Sequence, residues 1–461
     1  MGRINNSIRQ SIEENFKNQV IDTQDLIKIK SVLQEERANT EHPFGANLTA
    51  ALEKFLDNAK QMGFKTENKD NYVGWAEMGD KEARLIGILA HLDVVPEGNE
   101  SDWKHPPYDA VIENNNLYGR GSIDDKGPAI AALYAMKAIR DSGIPLRNRF
   151  RLILGLDEES GSRCIAHYNA TAENPAFCFS PDASFPVVNA EKGILRFTVE
   201  LPLKAQCSKA GTTIVSIKGG DRFNVVPDKA EAVLRCAPLM AGLENRNVTI
   251  TTNGVSAHAM EPEKGLNAIQ LLLGRLAQLE PSDGIREMIA AISAIAGDGH
   301  SGEQFGIAIK DEISGALTCN TAAIEADFST ECPVVTVKFD IRYPVTANFE
   351  NILDNITTTI KAAGAKMAVN VHKKPLYIPE SHPVVQAILD SYESVMNARP
   401  APISMGGGTY CRFMPDSVSA GPLFPGQEEL AHQPNEFVSL DDLLKSTLIY
   451  AEIIMRLNDI E

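Results

Sequence analysis

LIGILAHLD, residues 85–93, decides the fold: an apolar run of strand length, Leu85 to Ala90, ends on two polar residues, His91 and Asp93. The design recurs twice. FRLILGL at 150–156 runs into Asp157, Glu158 and Glu159, and FCF at 177–179 runs into Ser180, Pro181 and Asp182. Amphipathic, helix-like segments separate these runs, which is the pattern of an α/β unit with a mostly parallel sheet flanked by helices. In such a sheet, ligands bind beyond the carboxyl ends of the strands, so the three polar clusters are expected to meet in one crevice although they are far apart in sequence.

Between the first two runs, GRGSIDDKG (119–127) leads into a helix with Pro128 near its first turn, apolar residues at Ile130, Leu133 and Met136, and Gly143 as a stop. Asp124 thus precedes a helix N-terminus, where the dipole favours its charge. From about Ile194 to Tyr377 the pattern changes to strand-rich segments (ILRFTVEL, TTIVSIKG, NVTITTNG, PVVTVKFDI) broken by helices such as GLNAIQLLLGRLAQL and NFENILDNITTTIKAAG. The expected organisation is therefore an α/β domain in two pieces, 1–190 and 379–461, around an α+β insert at 191–378 that is long enough for two small halves in tandem. In the last piece, Ser381–Met396 reads as a helix, Ser417–Phe424 as a strand, and Ser439–Leu457 as a helix capped by Ser439 and Asp442. His432 falls in the loop between the last two, which brings it back to the crevice.

Composition narrows the function. A formal charge of -17 repels a phosphate backbone or an anionic membrane surface, so nucleic acid is excluded as a partner. No signal peptide and no run approaching the ~20 apolar residues of a membrane helix is found, and the expected setting is cytoplasmic. Seven scattered cysteines (164, 178, 207, 236, 319, 332 and 411), an odd number with no C-x-x-C, suggest neither disulfides nor a thiolate metal site, and most are expected to be small buried hydrophobes.

Singly, each polar cluster has a plain structural explanation. His91 and Asp93 could pack together, three acids at 157–159 could form a solvated turn, Asp182 could be a turn residue and His432 a structural histidine. The set carries more. His91-x-Asp93 puts two side chains on one side of an extended segment, one able to bind a metal and the other to orient it. Of the adjacent Glu158 and Glu159, one could face a metal while the other, its pKa shifted by its neighbours, acts as a general base. Two histidines and three carboxylates without cysteine suit two divalent ions, zinc or else cobalt or manganese. Three carboxylates and a bridging hydroxide would balance two such ions in charge, whereas without them the acids would repel one another. The Gly-x-Gly at 119–121 is not a dinucleotide fingerprint, because Asp124 stands where the third glycine belongs. Gly406-Gly-Gly-Thr409 lacks the Lys-Ser/Thr of a phosphate loop and reads as a tight turn that could contact a substrate.

HLDVVPEG (91–98), GRGSIDDKGP (119–128), LDEESGS (156–162), SPDASFPV (180–187), GVSAHAMEPEKGLNA (254–268), GGGTY (406–410) and AHQPNE (431–436) follow one another over nearly the whole chain. Together they resemble the co-catalytic zinc peptidases related to aminoacylase and carboxypeptidase G, above all the PepV-type dipeptidases. The resemblance implies that His91 and Asp182 hold one zinc, Glu159 and His432 the other, and Asp124 bridges them. Asp124 is the one at the motif's ligand position, and Asp125 is shared with the PepV group. It further implies that Glu158 is the general base that deprotonates a metal-bridging water, that Asp93 supports His91, and that the insert is a lid of two ferredoxin-like halves. In that lid, His258 would polarise the scissile carbonyl, while Asn224 and Arg342 would bind the substrate, Arg342 by its C-terminal carboxylate. The lid would imitate the dimer contact of shorter relatives, so a monomer is implied. Asp rather than Glu at 182 leans toward dipeptides with free termini over N-acyl or N-succinyl amino acids, the alternative substrates. A catalytically inactive metal-binding scaffold is the third reading, and it is disfavoured because no ligand and no base is missing.

Overall fold

The computed structural model describes residues 2–203, 213–236, 246–278, 283–330 and 332–460. The chain forms two compact units, one of Met1–Asn189, Tyr377–Ile403 and Gly408–Glu461, the other of Ala190–Leu376 with Ser404–Gly407.

In the first unit, helices α1 (Asn6–Ile27) and α2 (Ala46–Gln61) precede strands β1 (Lys65–Lys69), β2 (Val73–Met78) and β3 (Leu85–His91). The small strands β4 (Val111–Glu113) and β5 (Asn116–Tyr118) follow, then α3 (Lys126–Asp141), β6 (Arg149–Gly155), α4 (Arg163–Thr171) and β7 (Cys178–Ser180). The sheet runs β1-β2-β6-β3-β7 and continues into Val418–Ser419. Its centre is parallel, since β3 pairs in parallel with β6 and β7, and β7 with Val418–Ser419, while β1 and β2 form an antiparallel edge.

Every residue of β3 and of β6 is buried, as expected of strands covered on both faces. The covering is visible at neighbouring residues of β2. A side chain at Gly74 would meet Leu52 and Leu56 of α2, whereas the ring of Trp75 packs edge-on against Tyr168 of α4. Successive strand residues point to opposite faces, so α2 and α4 lie on opposite sides of the sheet. α3 is buried almost all round, packed between α1 and the C-terminal helix Leu440–Leu457. It ends as its sequence suggests, with Gly143 in the left-handed region at φ +69°. The C-terminal helix is capped by Ser439, whose hydroxyl accepts the Asp442 N–H at 3.1 Å.

One expectation is corrected. Ser417–Phe424 is not a single strand: it divides into Val418–Ser419 and Pro422–Leu423, and the second piece leaves the main sheet to pair with Ala183–Ser184. Gly421, at φ +77°, turns the chain between them, and Pro422 has no N–H to continue a ladder.

The second unit is a seven-stranded antiparallel sheet in the order 246–253, 229–236, 213–219, 318–327, 334–343, 193–202, 366–373. What the sequence offers as two halves in tandem is thus one continuous sheet. Alternate residues of Gly193–Pro202 (Leu195, Phe197, Val199) point into a core shared with Phe339, Ile341, Leu272, Ile292 and Ile356 from the neighbouring strand and the helices. Of the cysteines, Cys164, Cys178, Cys319 and Cys411 are buried, Cys236 is half-buried and Cys332 is exposed, while Cys207 lies outside the described residues.

Candidate metal centre

The carboxyl ends of β3, β6 and β7 deliver their polar residues to one place. His91, the last residue of β3, is 1% exposed, and its Nε2 lies 2.9 Å from Asp124 Oδ1 and 3.7 Å from Asp182 Oδ2. On the other side of Asp124, Oδ2 is 3.0 Å from His432 Nε2, which is in turn 2.9 Å from Glu159 Oε1. Asp124 therefore stands between two pairs, His91 with Asp182 and Glu159 with His432. His91, Asp124 and Glu159 each place a donor atom within 4.8 Å of the others. Glu158, beside them after β6, is partly buried and makes no side-chain hydrogen bond among the described residues.

Neighbouring groups hold these side chains in place. His91 Nδ1 is 2.9 Å from the main-chain oxygen of Asp93 and 3.4 Å from its carboxylate, so the nearer support is the peptide rather than the side chain. A carbonyl only accepts, so in the neutral ring Nδ1 carries the proton and the Nε2 lone pair faces Asp124. The Asp93 carboxylate accepts the N–H of Glu159 at 3.0 Å, and Asp125 Oδ2 accepts the N–H of His91 at 3.1 Å. Asp157 folds the turn that follows, both its oxygens taking the Arg163 guanidinium at 2.7 and 2.8 Å. The loop carrying Asp124 is tight. A side chain at Gly127 would come within 2.2 Å of the Ser122 carbonyl oxygen, so only glycine fits there.

So many acids in a poorly hydrated place disturb one another. Burial and the charge of Asp182 push Glu158 well above the usual carboxylate range, burial and Asp124 raise Asp182 to about 7, and the same two causes raise Glu159. Burial also works against a charged Asp124, but His432 and His91 outweigh it and hold its pKa low. His432 answers in kind: although 49% of its side chain is exposed and desolvation of the rest works against its charge, Glu159 and Asp124 drive it up to about 12. The cluster has more negative charge than its two histidines can balance.

The second unit carries the remaining sequence candidates. Val225 and His258 form an isolated antiparallel bridge, and the N–H of Ala259 donates to Asn224 O at 2.9 Å, so Asn224 and His258 are neighbours. Asn320 ties the first segment down through Val225 O at 2.8 Å, and Thr318 ties the second through Ala259 O at 3.2 Å. His258 Nδ1 accepts the Met260 N–H at 3.1 Å, which places the proton of the neutral ring on Nε2. Arg342, on the strand Val334–Tyr343, is 2% exposed and already partnered: Nε and Nη2 meet Asp340 at 2.5 and 3.2 Å, and Nη1 donates to Gly406 O at 2.8 Å. Arg196 shares Asp340 at 2.7 Å, so two guanidinium groups face one carboxylate. A cavity of about 420 Å³ adjoins Met260, Thr318 and Gly406.

Asp340 is a further member of this site that the sequence signals, since two residues apart on a strand is the same face as Arg342. Tyr410, in the GGGTY motif, lies over Gly155 so closely that a side chain there would reach its hydroxyl at 2.2 Å, and its ring stands edge-on to His91 at 6.2 Å between centroids.

The model for peptidase family M20/M25/M40 matches residues 87–456. The chain belongs to this family. "Putative dipeptidase YtjP" of Bacillus subtilis (strain 168) is 37% identical over 454 residues, covering 95% of this chain and 96% of that protein. A Staphylococcus epidermidis protein named "Putative dipeptidase" is 31% identical over 463 residues, covering 96% and 97%. Among solved structures, the dipeptidase Dug1p of Saccharomyces cerevisiae matches over 100% of both chains with a TM-score of 0.61 at 15% identity, which is a likeness of fold.

The chain is accordingly an M20 metallopeptidase, and its cluster fits the metal that the family implies. His91 Nε2 and Asp124 Oδ1 are buried 2.9 Å apart, yet among the described residues neither makes a hydrogen bond. Two such atoms side by side without bonding each other are arranged to share a third partner, and imidazole nitrogen with carboxylate oxygen is a donor set that divalent ions accept. Among the described residues no helix is long and apolar enough to cross a membrane.

Proposed function

We propose that this M20 enzyme hydrolyses the peptide bond of dipeptides with free N- and C-termini. His91 and Asp182 would hold one divalent ion, zinc suiting this donor set, and Glu159 and His432 a second, with Asp124 shared. The observation that carries the reading is the Asp124 carboxylate, with one oxygen 2.9 Å from His91 and the other 3.0 Å from His432. Bound divalent ions supply a water of lowered pKa and polarise the scissile carbonyl.

The chain's own groups do the rest. Glu158, its carboxyl pushed well above the usual carboxylate range by burial and Asp182, takes the proton of the attacking water and returns it to the departing amine. His258 offers Nε2–H to the oxygen on which negative charge develops. Arg342 receives the C-terminal carboxylate and Asn224 helps to fix it. Three of the five guanidinium N–H groups of Arg342 are engaged among the described residues, and with Arg196 it outweighs Asp340 in charge, so the site keeps a positive balance for a carboxylate. Main-chain groups of Gly406–Thr409 would add contacts. The dipeptide reading is supported by the names of the two relatives and by Asp at 182. The proposal extends to a monomer acting in the cytoplasm, in keeping with the charge of -17.

The deciding experiment assays the metal-reconstituted enzyme on dipeptides, tripeptides and N-acyl amino acids. Comparable kcat/KM for an unblocked dipeptide and an N-acyl amino acid would make the deacylase the better reading.

A further inference from the structure

One buried side chain joins the two ligand loops and has no part in the chemistry above. Glu436, 0% exposed, lies four residues beyond His432 and reaches into the loop of Asp124. Its Oε1 accepts the N–H groups of Gly121 at 3.0 Å, Ile123 at 2.9 Å and Asp124 at 3.4 Å, and its Oε2 accepts Arg120 Nη1 at 2.7 Å. Arg120 is 1% exposed and stacks over Trp103 at 5.1 Å from the ring centroid. The main chain adds to the joint: Gly119 donates its N–H to Glu436 O at 3.0 Å, and Phe437–Ser439 pairs antiparallel with β5. The segment bearing His432 and the segment bearing Asp124 are thus fastened together through one carboxylate.

We propose that Glu436 is a positioning residue that sets the Asp124 carboxylate for both metal sites at once. The inference rests on the two-ion reading of Asp124. A carboxylate meets the need because both of its oxygens accept: one faces three peptide N–H groups, the other a guanidinium, and nothing in that shell can accept in return. Glutamine must turn its NH₂ toward one of these donor groups, so half of the joint is lost whichever way the amide lies. Aspartate keeps the charge but is one methylene shorter and cannot reach both sides. A bridging carboxylate with its oxygens 2.9 and 3.0 Å from two histidines tolerates little rotation, so a shift of its loop is felt at both sites.

The test titrates the metal-free full-length protein with zinc against a chelating indicator, for the unaltered chain, Glu436→Gln, Glu436→Asp and, as a one-site control, Asp182→Asn. Thermal unfolding of each metal-free protein reports the fold separately. In folded Glu436→Gln both stepwise affinities should fall together by about 10- to 100-fold, the usual effect of removing a partner behind a ligand. Glu436→Asp should follow in the same direction, and Asp182→Asn should weaken one step. The absorption spectrum of the cobalt-loaded Gln variant should shift, which a role in fold stability alone would not cause. Unchanged affinities in folded Glu436→Gln would overturn the proposal, as would a loss confined to one of two steps. Failure of both Glu436 variants to fold would make Glu436 a stability residue and overturn it equally. One ion per unaltered chain would instead overturn the two-ion reading, and a matching loss at that single site would still support positioning.

Discussion

His91 and His258 are held in opposite ways. His91 ends a buried strand, and three other points of the chain fix it: Asp93 O takes its Nδ1–H, Asp125 takes its main-chain N–H, and Asp124 lies against Nε2. His258 is exposed, on an isolated bridge in the other unit, and its ring is set by the N–H of Met260 two residues along. The two arrangements select opposite neutral tautomers. In His91 the proton sits on Nδ1 and a lone pair is presented at Nε2, as a cation requires. In His258 the proton sits on Nε2 and a donor is presented, as a developing oxyanion requires. Which neighbour a histidine's Nδ1 meets, an acceptor or a donor, decides what its other nitrogen can do.

The largest effect should come from the first half of this comparison. Chelation should abolish activity, and zinc, cobalt or manganese should restore it, because the lone pair of His91 has no catalytic use without a cation. Full turnover by a preparation that metal analysis finds empty would end the metal reading.

Next in size are the adjacent glutamates. Glu158→Gln should retain both ions and lose about three to four orders of magnitude in kcat, since the base is gone while the ligands stay. Glu159→Gln should weaken one metal site. The reverse pattern in metal analysis would exchange their assignments.

His258→Ala tests the second half of the comparison. Its donor matters most when charge has developed on the carbonyl oxygen, so kcat should fall by about 10²- to 10³-fold with KM little changed. A change confined to KM would place His258 in ground-state binding and remove the significance of its tautomer.

The two halves were not equally legible. His91, Glu158, Glu159 and Asp182 could be found because each follows an apolar strand, and parallel strands collect such residues at one edge. His432 could be placed at the same edge from its loop between the last strand and the last helix, whereas the order of roles within the glutamate pair came only with the family motifs. Hidden from the sequence was every device that works through the main chain. Glu436 acts on peptide N–H groups that any sequence possesses, and Asp93 supports His91 with its carbonyl at 2.9 Å more closely than with its carboxylate. The split of Ser417–Phe424 was also hidden, since it depends on the left-handed turn at Gly421.

The smallest effect concerns substrate length. Arg342 is not a lone positive group: Asp340 neutralises part of it, and Gly406 O takes another of its N–H groups. What would remain for a substrate carboxylate, on the proposed reading, is the surplus of Arg196 and Arg342 over one Asp340, together with a fixed fork geometry. Because the guanidinium is pinned, it cannot follow a carboxylate displaced by an extra residue, and the penalty for a tripeptide is a missed bidentate pair rather than an uncompensated buried charge. Dipeptides should therefore be preferred to tripeptides by about two orders of magnitude in kcat/KM, roughly 3 kcal/mol. Arg342→Ala should remove most of that preference by slowing dipeptides while leaving tripeptides nearly unchanged. Asp340→Asn should loosen the fork without discharging it, so it should raise KM for dipeptides about tenfold and lower kcat less. If Arg342→Ala slowed both peptide lengths equally, the arginine would be a structural partner of Asp340, and length would have to be set elsewhere.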